Sequence, residues 1–341
     1  MPQIDISDVN LTAMRRRAAE LQGALHHTPA VPVASDMLTR ALGGGALHLK
    51  LECLQHTGTF KARGALSVAR AIPEDRRAAG ITAASAGNHA IAAAWAARQC
   101  AMSAKVVMQS TANPFRVALA RAEGAEVILR DPGPATFAEA ERLMRDEGRS
   151  FIHPFEGVDT VLGSAGVGLE FMDDVAGLEA VVVAVGGGGL ISGVAAAVKA
   201  LAPQCQVYGV EPVGADSMSR SLKAGQPVTL ERVESVADSL APPMALPLGH
   251  ALCAAHVDAM VTVDDDAICA GMVVLQEQAK LAVEPAAGAA MAGLLGPLRA
   301  RLRGKRVGLV VCGANIDAAT YGALLERGRA GLAALTHGTD A

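Results

Sequence analysis

Leu51-Glu52-Cys53-Leu54-Gln55-His56-Thr57-Gly58-Thr59-Phe60-Lys61-Ala62-Arg63-Gly64-Ala65 runs from a strand end through a glycine turn into an amphipathic helix, with a lysine at the helix start. The unpaired N–H groups at a helix N-terminus carry partial positive charge and disfavour an ammonium there. An amine so placed is kept neutral and reactive. A single lysine at a helix start is nonetheless more often a solvated surface residue, so its meaning depends on what the rest of the chain brings to it.

Three further turns bear on it. Ser85-Ala86-Gly87-Asn88-His89 sets short polar groups at a second helix start, and capping by Ser85 is its plainest reading. Gly186-Gly187-Gly188-Gly189 follows the apolar strand Val181-Val182-Val183-Ala184-Val185 and precedes a helix, where backbone N–H groups converge on an anion. A dinucleotide site competes for that turn, and Glu211 at the next strand end mimics its ribose-binding acid. Ile191 and Ser192 occupy the place of the last glycine, however, so no G-x-G-x-x-G register can be drawn, and no Gly-Lys-Ser/Thr ending of a P-loop occurs. Cys312-Gly313-Ala314-Asn315 follows another apolar strand, where a buried thiol is the ordinary reading. Glu284, within Val283-Glu284-Pro285-Ala286-Ala287-Gly288, must find a partner or shift its pKa, unless it simply caps a helix.

Together these segments offer an amine, a polar loop, a cradle of N–H groups and a small polar contact. Pyridoxal 5'-phosphate needs such a set, for its aldehyde, ring oxygen, phosphate and ring nitrogen. In order and wording the segments resemble the threonine dehydratase and serine racemase branch of the fold type II pyridoxal-phosphate enzymes, from about residue 20 to about residue 320. That resemblance implies an α/β fold with two open, twisted, mostly parallel sheets covered by helices. It implies a large domain made of residues 1–79 and 155–341 and a smaller one, residues 80–154, inserted between them.

By the same resemblance, Lys61 is the Schiff-base lysine and general base, with Phe60 packed near the cofactor. Asn88 holds the ring hydroxyl, Gly186, Gly187, Gly188 and Gly189 hold the phosphate, and Glu284 lies behind the cofactor. Ser85, Ala86, Gly87, Asn88 and His89 form the substrate-carboxylate loop. Racemases carry a serine where Ala86 stands, and a methyl group cannot protonate a carbanion, which disfavours racemisation. Cys312 replaces the usual serine or threonine beside the ring nitrogen. A neutral group there suits elimination over transamination, and a nearby cation would draw the thiol toward thiolate. Leu162-Gly163-Ser164-Ala165-Gly166 departs from the Ala-Gly-Gln-Gly-Thr run of relatives. Phe137 falls near a racemase arginine, and no cation is evident for a side-chain carboxylate, which favours threonine or serine over hydroxyaspartate. Glu211 and Ala215 match a divalent-metal loop, but Ser217 stands where its aspartate belongs, which weakens any Mg²⁺ or Ca²⁺ site.

The expectation is therefore a pyridoxal-phosphate ammonia-lyase that dehydrates threonine or serine to a 2-oxo acid and ammonia, with hydroxyaspartate lyase or serine racemase as relatives in reserve. A non-catalytic cofactor carrier and an NAD-dependent oxidoreductase are the readings from other classes. A homodimer comes from the resemblance alone. No C-terminal regulatory domain is expected in the residues after the core.

Composition bounds the rest. A hydrophobic fraction of 51% with only 3% aromatic residues calls for a large core of Ala, Val and Leu. The net charge of −4, without a basic block, disfavours nucleic acid and membrane surfaces as partners. The N-terminus lacks the basic and apolar regions of a secretory signal, and the six cysteines form no close pair, so a reducing, cytoplasmic setting is expected. Strands are predicted at 47–52, 80–84, 105–109, 126–129, 180–185, 206–210 and 306–311, with helical segments at 11–25, 114–123 and 137–147. This alternation reads as a largely parallel sheet covered by helices.

Overall fold

The computed structural model describes residues 4–85 and 87–337. Ten strands form two sheets: β1 (Ala30–Pro32), β2 (Ala46–Lys50), β3 (Ile81–Ala84), β4 (Ala104–Gln109), β5 (Glu126–Arg130), β6 (Ser150–Phe151), β7 (Ala180–Ala184), β8 (Gln206–Pro212), β9 (Ala259–Val263) and β10 (Arg306–Val310). The larger sheet runs β1-β2-β10-β7-β8-β9 and the smaller β5-β4-β3-β6. Every pairing is parallel except β1 with β2. The chain leaves the larger sheet after β2, builds the smaller from residues 81–151, and returns at β7.

Parallel strands covered by helices on both faces are buried throughout, which is why β7 reads as an unbroken apolar run and all five of its residues are buried. The core's shortage of aromatic residues has a geometric counterpart. The helices Asp265–Ala279 and Pro285–Leu295 approach so closely that a Cβ on Gly271 would lie 2.1 Å from the Gly288 carbonyl oxygen. Ala- and Gly-rich helices can pack backbone to backbone, so the core gains its density from close approach rather than from large side chains.

Three strands have no counterpart in the sequence expectation. β6 is only two residues long, β9 is largely half-buried, and β1 is an edge strand that ends in Pro32, where a missing N–H does no harm. The expected first helix ends four residues sooner than predicted, at Leu21.

A buried ion network ties the Lys61 helix to the larger half of the molecule. Arg63 meets Glu52 through two contacts of 2.8 Å and Glu170 through contacts of 2.7 and 2.8 Å, so two edges of its planar fork are filled. Lys50 reaches Glu170 at 2.8 Å and Asp174 at 3.1 Å, while Thr28 donates to Glu52 at 2.5 Å. Glu52 is fully buried and Arg63 is 2% exposed, so removing one partner strands an uncompensated charge. Arg63→Met is expected to cost about 3–5 kcal/mol of stability, read from urea unfolding. A loss below about 1 kcal/mol would show that the network is not a structural tie.

Candidate active site

Lys61 begins the helix Lys61–Ala71, and its position is set by a seam between residues distant in sequence. The Phe60 N–H donates to the Cys312 carbonyl at 3.1 Å, the Ala314 N–H to the Gly58 carbonyl at 3.0 Å, and Asn315 Nδ2 to the Thr57 carbonyl at 2.8 Å. Thr57 and Gly58 both adopt left-handed φ, 64° and 72°, which turns the chain into the seam. A Cβ on Gly58 would lie 2.6 Å from Asn315 Oδ1, so the close approach itself requires glycine.

The Lys61 side chain is half-buried at the cleft wall. Nζ donates to the Pro154 carbonyl at 2.6 Å and sits 5.0 Å from the centre of the Phe60 ring. Burial lowers its pKa from 10.5 to about 8, against the opposing pull of Glu284 and then Cys312. His89 and His153 are held to pKa values of about 3 and about 4, by burial first and by Lys61 second, so both rings stay neutral. His89 Nε2 therefore donates to the Ile152 carbonyl at 2.8 Å. His153 Nδ1 accepts from the Phe155 and Glu156 amides, which leaves its proton on Nε2.

Phe60, Lys61, Asn88, Gly186–Gly189, Glu284 and Cys312 all border one cleft. The helix Gly189–Leu201 points its N-terminus there, with first-turn amides that have no partner within the helix. The glycines are dictated by crowding. A Cβ on Gly187 would fall 2.2 Å from the Phe155 ring and one on Gly189 would fall 2.7 Å from the Phe155 carbonyl, while Gly188 has φ +91°.

Asn88 bridges the two sheets' halves of the molecule. Its Nδ2 donates to Glu284 Oε2 at 2.7 Å and its Oδ1 accepts from Asn315 Nδ2 at 3.0 Å. Glu284 makes no side-chain cap hydrogen bond, so it is a buried, partnered carboxylate rather than a helix cap. Burial raises its pKa, opposed chiefly by Arg116. Ser85 does not cap the helix Asn88–Gln99; its Oγ accepts from the Gly87 N–H at 3.1 Å, inside the loop. His89 borders a smaller adjoining cavity beside Lys61, with Thr160 and Ser164. Ala86 lies outside the described residues.

The structure bears on four readings of the sequence. Cys312 faces no dominant cation: burial and Glu284 push its thiol well above its ordinary range, so it stays protonated. Glu211 and Ala215 border neither cavity, and both Glu211 oxygens are taken by the amides of Met218 and Ser219 and the Ser219 hydroxyl. Burial raises the Glu211 pKa to about 7, and among the described residues no group of three or more His, Cys, Asp or Glu side chains gathers to hold a metal. Phe137 is 45% exposed on the helix Pro134–Glu147 and borders neither cavity. A cation does stand near the cleft: Arg116, whose Nη2 is 3.8 Å from Glu284 Oε2.

A buried amine, an N–H cradle closed to any Cβ, a polar amide and a neutral thiol around one cleft fit pyridoxal phosphate. The sequence profile of the pyridoxal-phosphate dependent enzymes covers residues 21–313. The chain belongs to the pyridoxal-phosphate dependent enzymes. It is 48% identical over 322 residues to "Phenylserine dehydratase" of Ralstonia pickettii, covering 94% of this chain and 98% of that one. It is 35% identical to "L-threonine ammonia-lyase" of Thermotoga maritima, covering 94% of this chain and 79% of that one. Maize serine racemase superposes with a TM-score of 0.86 at 30% identity, over 93% of this chain and 98% of that one. The chain is thus a fold type II member of the dehydratase and racemase branch and uses pyridoxal phosphate. Among the described residues no helix is long and apolar enough to cross a membrane.

Because Gly188 sits at φ +91°, Gly188→Ala imposes about 1–2 kcal/mol of backbone strain on the cradle. Cofactor affinity, followed by absorbance titration, is expected to fall about tenfold or more. Unchanged affinity would show that the cradle does not bear on the phosphate.

Proposed function

We propose that this enzyme is an ammonia-lyase that converts a 3-hydroxy amino acid to a 2-oxo acid and ammonia, with phenylserine preferred over threonine and serine. The observation that carries the reaction is the buried Lys61 amine, lowered to about 8, at the wall of the cleft that holds the glycine cradle. Pyridoxal phosphate, when bound, supplies an electron-accepting ring conjugated with the substrate's Cα. Lys61 would hold that group covalently and, when free, would take the Cα proton at Nζ; the fall in its pKa from 10.5 to about 8 raises the neutral fraction at pH 7 to roughly a tenth. The amides of Gly186–Gly189 bind the phosphate. Asn88, fixed by Glu284 and Asn315, would orient the ring, and the protonated Cys312 thiol would offer it a neutral partner. The loop Ser85–His89 takes the substrate carboxylate.

Substrate preference rests on the relative at 48% identity and on the cleft's shape. The Phe155 ring packs on Gly187, and Phe60 and Leu240 border the same cleft, which gives it apolar wall. Arg116 does not supply a free cation for hydroxyaspartate, because Asp238 and the Asn315 carbonyl already occupy its guanidinium. A homodimer in a cytoplasmic, reducing setting belongs to the same reading, in keeping with six free cysteines.

Phenylserine, threonine and serine, incubated with the purified enzyme, are expected to yield keto acid and ammonia. The kcat/KM for phenylserine should exceed that for threonine about tenfold or more, since an apolar pocket rewards the larger group by roughly 10–200-fold. Lys61→Ala should lower turnover by about 10²–10⁴-fold. Equal or better turnover of threonine would reject the aryl preference, and no ammonia from any of the three would reject the lyase.

A further inference from the structure

Arg116 stands on the helix Pro114–Ala122, in the part of the chain that builds the smaller sheet, yet its guanidinium serves the larger half. Its side chain is 7% exposed. Nε donates to the Asn315 carbonyl at 2.9 Å, Nη1 donates to Asp238 Oδ2 at 2.5 Å, and Nη2 lies 3.8 Å from Glu284 Oε2. The substrate loop rests directly on it: a Cβ on Gly87 would fall 2.6 Å from Arg116 Cδ and 3.1 Å from Nη1. One cation thus joins the turn after β10, the Asp238–Leu240 turn, the start of the helix Pro285–Leu295 and the underside of the loop.

Glu284 gains most from this arrangement. A carboxylate that is 2% exposed loses its charge unless a cation or several donors hold it. Asn88 supplies one donor and Arg116 the charge. We propose that Arg116 is a positioning residue that keeps Glu284 ionised and through it sets the proton affinity of the Lys61 amine, while the same guanidinium clamps the two halves of the cleft together. This rests on the reading of Lys61 as the reacting amine.

Glu284 borders the same cleft as the amine and is the first of the groups that pull its pKa upward. His89 and His153 are neutral, and burial keeps Cys312 protonated. Around Glu284 itself stand Arg116, Asp238 and Lys61, together with the Cys312 thiol and Cys53, whose pKa burial pushes up to about 11. Without Arg116, burial and Asp238 both favour a protonated Glu284. The amine then loses the negative charge that supports its ammonium, and its pKa falls. An arginine with a purely structural role gives the opposite sign, because a loosened site admits water and lifts Lys61 toward its ordinary 10.5.

The test is acetylation of Lys61 by acetic anhydride as a function of pH, on the full-length chain stripped of cofactor, read by peptide mass spectrometry. Wild-type chain should show a midpoint near about 8. Arg116→Gln and Glu284→Gln should each lower it by roughly 1–3 pH units, and the double variant should move no further than the larger single shift. A midpoint unmoved or raised in Arg116→Gln, or shifts that add, would overturn the proposal. If circular dichroism shows that Arg116→Gln does not fold, Arg116→Lys decides: it retains the charge and should keep the wild-type midpoint, and a fall as large as that of Glu284→Gln overturns it. Ammonia release plays no part in this readout, so failure of the coupling and failure of the lyase assignment are separable.

Discussion

The seam between residues 57–60 and 312–315 is the constraint on which the site depends. It joins segments from opposite ends of the chain, and its hydrogen bonds fix where the Lys61 backbone enters its helix. Closing so long a loop costs conformational entropy, which the pairing of β2 with β10 along five residues offsets before the seam is reached. The Arg63 network then holds the same helix from its far side. The amine is positioned by backbone geometry on one side and buried charge on the other, and little is left to side-chain flexibility.

Electrostatic balance follows from that enclosure. Burial alone favours neutral Lys61 and neutral Glu284, and it makes neutral rings of His89 and His153. Arg116 and Asn88 pull Glu284 the other way, from the opposite half of the molecule. Buried charges act strongly on one another, so few are needed and their pairing matters more than their number.

Much of the site was legible because glycine is informative where a Cβ cannot fit. The quartet Gly186–Gly189, the Thr57-Gly58 turn and Gly313 each mark a backbone approached at close range, and the lysine motif sits beside one of them. Strands β2, β3, β4, β5, β7, β8 and β10 were legible as apolar runs between helical periods. Arg116 was not, since a lone arginine in the helix Pro114–Ala122 reads as a solvated charge, and its partners come from residues 238, 284 and 315. Phe155 was missed for a similar reason: nothing local distinguishes a ring that packs on a glycine cradle from one in any loop. Glu211 is ambiguous in the other direction, because a buried acid that accepts from helix N-terminal amides has the same local sequence as a metal ligand.

The central claim is that the Lys61 amine is the group that bonds to the cofactor. Borohydride reduction of the cofactor-loaded enzyme, followed by proteolysis and mass spectrometry, reads this directly. A pyridoxyl adduct on the peptide that contains Lys61 is the predicted result, and an adduct on Lys50 or another amine, or none at all, would contradict the account.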